Sequence, residues 1–171
     1  MPIADDLPSL LAYNRWADAT ILEAVRRLSP EDYVKEPVPG WASVRATVVH
    51  AAGALNIWAR RLDGETVTAR PTEAEVPTVD DAERLLHTGH DAFDRLYAVM
   101  TPERLASVWT YHDLTGTARR TPVWSVFRHV VNHATYHRGQ VSSKLKRFGI
   151  QAQDTDLVYW ALNQTDQGEG V

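Results

Sequence analysis

Four stretches of this chain place apolar residues at three- and four-residue steps, and that periodicity, which puts side chains on one face of a helix, limits the fold more than any other feature. In the first stretch Leu7, Leu10, Leu11, Ala17, Ile21, Val25 and Leu28 share a face with Asn14, predicting a helix from about Leu7 to Leu28. Ser29-Pro30-Glu31-Asp32 supplies an N-cap and a pre-set first residue for one short further turn. Pro37 to Gly40 reads as a loop. Ser43 caps a second long helix carrying Val44 to Leu62, and Gly64 stands where a left-handed C-terminal residue is wanted. Residues 65–77 are a link. Thr78 with Asp81 resembles a capping box, after which Ala82, Leu85, Leu86, Gly89, Phe93, Leu96 and Met100 trace the third helix. Thr121-Pro122 opens the fourth and longest as N-cap and first helical residue, and Gly149 ends it after about Phe148.

Elsewhere the pattern weakens. From Thr101 to Arg120 the periodicity is lost and no structure is assigned, apart from a short extended piece over Val108 to Tyr111. Thr155 to Leu162 reads as a short docking helix, and the polar, Gly-bearing Gln164 to Val171 is expected to fray. The 171 residues suit a single domain spanning 1–171, since a chain of roughly 150 residues already buries about two thirds of its unfolded surface in one core.

Composition removes several function classes. There is no cysteine, so disulfides, thiolate metal sites and a cysteine nucleophile are excluded, and any metal must sit on imidazole, carboxylate or backbone oxygen. A net charge of -4 argues against a broad nucleic-acid surface, which needs a basic face. No apolar run approaches the roughly 20 residues needed to cross a bilayer, and MPIADDLPSL has neither the basic start nor the apolar stretch of a secretory signal. A cytoplasmic location with no membrane partner is the expectation.

The chemistry-bearing residues are histidines. His129, His133 and His137 follow one another at four-residue steps on the fourth helix and point the same way. An i, i+4 pair can grip one metal ion at roughly 2.0 to 2.1 Å from each ring nitrogen. The best further donor is His50, whose neighbours on its face, Ala46, Gly53, Ala54 and Ile57, are mostly small and leave room for a site. Seven histidines also produce such a pair by chance fairly often, so spacing alone divides evenly between a metal site and a packed histidine cluster. A shared ion would relieve the cost of clustering imidazoles beside Val126, Val130 and Val141.

The run His129-Val-Val-Asn-His133-Ala-Thr-Tyr-His137-Arg138-Gly139-Gln140 resembles the signature of the DinB/YfiT-like family of metal-binding proteins. Tyr13-Asn14-Arg15-Trp16-Ala17, Ser43 to His50 with Trp58, and Asp156-Leu157-Val158-Tyr159 agree with it, so the likeness spans almost the whole chain. The resemblance implies an all-α, up-and-down four-helix bundle. It also implies metal ligands at His50, His133 and His137, between the second and fourth long helices. His129 is read as a hydrogen-bonded support behind the ligands or a core histidine rather than a ligand, and His87, His90 and His112 as incidental. Gln140 and Tyr136 are candidate substrate contacts, Arg138 is a candidate for a structural ion pair, and Trp16, Trp41, Trp58 and Trp124 are core or cavity-wall residues.

Three imidazoles leave a coordination position open, as in catalytic sites. Such an ion lowers the pKa of bound water for hydrolysis, or takes an exogenous thiol as thiolate. The family includes thiol-dependent transferases and an isomerase, so the expectation is a divalent-metal-dependent enzyme moving a bacillithiol-, mycothiol- or glutathione-type thiol onto small electrophiles. A metal-binding stress protein without turnover and a metal-dependent hydrolase are the alternatives. Zinc, nickel and iron all suit the donor set, and the resemblance is compatible with a homodimer.

Overall fold

The computed structural model describes residues 6–168 and is mainly helical. Four long helices carry the core: α1 (Leu7–Val25), α3 (Val44–Leu62), α4 (Val79–Ala98) and α6 (Val123–Arg147), with the single turn α2 (Pro30–Val34) between the first two. Each long helix packs on two others, α1 and α3 both lying against α4 and α6. The apolar stripes meet inside this ring, where Phe93 of α4 and Phe127 of α6 are fully buried and meet edge to face at 5.4 Å between ring centroids.

The caps form as their residue types require. Ser43 Oγ accepts from the Ala46 amide at 2.9 Å, and Thr78 and Asp81 close a reciprocal capping box. Gly64 takes φ of 95° beyond α3. Gly89 has a different role: a Cβ there would come within 2.8 Å of Leu55, so its absence lets α4 approach α3 closely.

Three sequence expectations are corrected. The fold is not all-α, because Val108–His112 (β1) and Ala118–Pro122 (β2) form an antiparallel hairpin after the one-turn helix α5 (Pro102–Ala106). The extended piece at 108–111 is thus half of a larger element. Thr121 is paired with Trp109 inside that hairpin, so Pro122 takes the N-cap position of α6 instead of its first turn. α1 stops at Val25 because the Arg27 and Leu28 amides bond three residues back, to Ala24 and Val25, tightening the last turn. The docking helix expected near the end is α7 (Leu157–Gly168), which packs on α1. Residues 169–171 lie outside the described residues. Among the described residues no helix is long and apolar enough to cross a membrane.

Candidate metal centre

The Ser43 cap starts α3 so that His50 arrives on the flank facing α6, and the α-helical repeat of α6 stacks His133 one turn before His137. The three rings meet. Centroid separations are 4.4 Å for His133 and His137, 4.6 Å for His50 and His137, and 5.2 Å for His50 and His133. One nitrogen from each lies within 4.8 Å of the others, and all three side chains are half-buried.

The donor set fits a divalent cation. Two ligands about 2.1 Å from one tetrahedral ion stand about 3.4 Å apart, and the Nε2 atoms of His133 and His137 are separated by 3.2 Å. Gln140 Oε1 lies 2.8 Å from His137 Nδ1, so Nδ1–H donates to it and Nε2 keeps a lone pair facing the cluster. Burial first, and then the neighbouring His137 and Arg70, hold the pKa of His50 below its ordinary value. For His133, burial and then its histidine neighbours bring the pKa down to about 4. His137 is lowered by burial. The rings are therefore neutral at pH 7, which is the ligand form.

A cleft of about 800 Å³ opens beside the histidines. His50, His137, Tyr136 and Gln140 line it, with Trp41, Thr47, Ser143 and Lys144. Gln140 and Tyr136 thus stand where a small molecule beside the cluster would touch them, and Gln140 also orients a histidine. Trp41 is an exposed cleft wall, whereas Trp16, Trp58 and Trp124 pack partly buried on the core. His129 sits 5.5 Å from the His133 ring and edge-on to Trp58 at 5.2 Å. Among the described residues no hydrogen bond joins His129 to the other three histidines.

His90 is not incidental. It is 4% exposed, and its Nε2 meets Asp18 Oδ2 at 3.0 Å. Arg138, adjacent to His137, donates to Asp18 Oδ1 and Asn14 Oδ1, both at 2.7 Å, and to Thr135 Oγ1 at 2.8 Å. This buried network joins α1, α4 and α6 behind the histidines and includes the ion pair expected of Arg138. Asp18 carried a signal that the sequence reading missed: with Asn14 it makes an i, i+4 polar pair on the buried face of α1. His87 and His112 are exposed and lie outside the cluster.

The sequence model of the DinB family matches residues 2–167. The chain belongs to the DinB family. It is 25% identical over 164 residues to Protein DinB of Bacillus subtilis (strain 168), covering 92% of this chain and 95% of that one. Two solved structures share the fold. A DinB-like protein from Bacillus subtilis aligns with a TM-score of 0.60 at 14% identity, over 86% of this chain and 98% of its own. Another from Bacillus cereus ATCC 10987 aligns at 0.57 and 18% identity, over 81% and 89%.

Proposed function

We propose that this DinB-family chain is an up-and-down four-helix bundle and a divalent-metal-dependent enzyme, with His50, His133 and His137 as the ligands. Its expected reaction joins a low-molecular-weight thiol of the bacillithiol, mycothiol or glutathione type to a small electrophile. The observation that carries the reading is the convergence of three neutral imidazoles from two helices at the edge of a roughly 800 Å³ cleft. A closed structural site normally takes four protein ligands, whereas three beside a cavity leave a position for an incoming molecule. A divalent ion there would supply Lewis acidity, lowering the pKa of a coordinated thiol or water.

The chain's own residues do the rest. Gln140 holds the His137 tautomer by accepting from its Nδ1–H. Trp41 and Tyr136 offer apolar faces to an incoming molecule. With no cysteine in the chain, the thiol must come from solution. The test is to load the protein with zinc, nickel or iron and supply a thiol panel with a generic electrophile such as a chlorodinitrobenzene. Thiol-dependent product that disappears on chelation supports the reading. Thiol-independent hydrolysis of an ester or amide panel would favour the hydrolase, and no turnover with any metal would favour a binding protein.

A further inference from the structure

The cleft beside the histidines carries no acidic lining residue among those described, in a chain whose net charge is -4. Its polar groups are hydrogen-bond donors or can act as donors: the Lys144 ammonium, the Ser143 hydroxyl and the Gln140 amide, whose carbonyl is already taken by His137. Lys144 stands out. It is only 7% exposed, and its Nζ donates to Thr47 Oγ1, whose own hydrogen goes to the Ser43 carbonyl at 3.0 Å. That leaves two of three ammonium hydrogens without an acceptor among the described residues, and no carboxylate pairs with it there. Burying an ammonium without a counter-charge is costly. Burial accordingly pulls the Lys144 pKa below its ordinary value.

We propose that Lys144 determines substrate class by anchoring a carboxylate of the molecule that enters the cleft. The inference rests on the reading of this cleft as the place where substrate meets the ion. Lys144 follows His137 by seven residues on α6, which is about 10 Å along the axis and about 20° around it. The Lys144 and His137 side chains therefore start from one helix face, about two turns apart, and both line the cleft. A carboxylate on Lys144 leaves the rest of a small molecule running past Trp41 and Tyr136 toward the histidines, with its reacting atom at the far end. The anion also supplies the missing counter-charge, so the site is complete only when the substrate is present.

A purely structural role would have Lys144 tie α6 to α3 through Thr47, near a helix C-terminus where a cation is favoured in any case. Calorimetric titration separates the two roles, using the full metal-free chain with 3-phenylpropanoate and its neutral isostere 3-phenylpropanamide. The expected result is that the carboxylate binds at least about tenfold tighter, the scale of a charge-assisted hydrogen bond. That preference should vanish in Lys144→Met and Lys144→Gln and survive in Lys146→Met, which removes an exposed lysine of the same helix. Equal affinity for the two probes, binding of neither, or a preference that persists without Lys144 would overturn the proposal. Equal wild-type affinity for the two probes overturns the proposal even if a variant fails to fold. Because zinc is absent from these titrations, a separate zinc titration reports on the histidine site, so failure of either reading is visible on its own.

Discussion

Which nitrogen of an imidazole keeps its lone pair decides whether the ring can take a cation, and Gln140 makes that choice for His137 by accepting from Nδ1–H. Gln140→Leu should therefore weaken zinc binding by roughly 10- to 100-fold. His129→Ala, which removes a ring contact and no observed hydrogen bond, should weaken it less. A competition titration with a chromogenic chelator reads both, and a larger loss in His129→Ala would reverse the assignment. Removing His50, His133 or His137 leaves two imidazoles, so each alanine variant should lose the ion, with double variants adding little. Near-full metal content in His50→Ala would sink the proposed ligand set. Proton competition follows from the same rings. Their folded pKa values lie below the ordinary value near 6.5, with His133 at about 4. Between those limits the unfolded chain binds more protons than the folded one, so this contribution to stability is lost as pH falls. Metal-free wild type should thus lose more stability from pH 6.5 to 4 than His133→Asn in urea melts. Parallel curves would show that His133 titrates normally.

At the scale of elements, what was legible follows from what a local pattern can encode. The long helices are legible because each announces its own buried face, and the histidine cluster because α6 repeats His133 and His137 one turn apart. The hairpin is not, since β1 and β2 owe their position to partners far along the chain. Tyr111 stacks with Trp109 and meets Trp58 edge-on at 5.0 Å, and buried Arg61 lies 5.3 Å over the Tyr111 ring. The same limit hid the Asp18, His90 and Arg138 network, whose members sit on three helices and pair only after those helices pack. Lys144 gives no local sign of burial, because its contact with Thr47 forms only when α6 packs on α3. Gly89, a member of an apolar stripe, is where α4 lies directly against Leu55 and Asn56 of α3. Gly89→Ala gains up to about 1 kcal/mol of helix propensity but pushes a methyl into Leu55, an overpacking that costs about 1–3 kcal/mol. The expected outcome in denaturant melts is net destabilisation of up to about 2 kcal/mol. A stabilised variant would mean that the two helices separate freely.

Across the whole molecule, the polar network and the histidine site are neighbours through Arg138 and His137, yet they serve stability in different ways. Asp18→Ala leaves the buried Arg138 without its carboxylate, which should cost about 3–5 kcal/mol whether or not metal is present. Metal acts by linkage instead. An ion that binds only the folded chain stabilises it by about 2.7 kcal/mol when free metal is 100 times Kd. For a chain of this size that shifts the melting temperature by roughly 5 to 10 °C. Chelation should reverse the shift and leave the helical circular dichroism intact, because the Phe93 and Phe127 contact and the apolar stripes around it do not involve the histidines. The effect should vanish in His137→Ala and persist in Asp18→Ala, whose melting point starts lower but keeps its response to zinc. Loss of helical signal on chelation would make the ion a structural element and remove the open coordination position on which the proposed chemistry depends. An unchanged melting point across the zinc titration would show that the three imidazoles pack together without holding a metal.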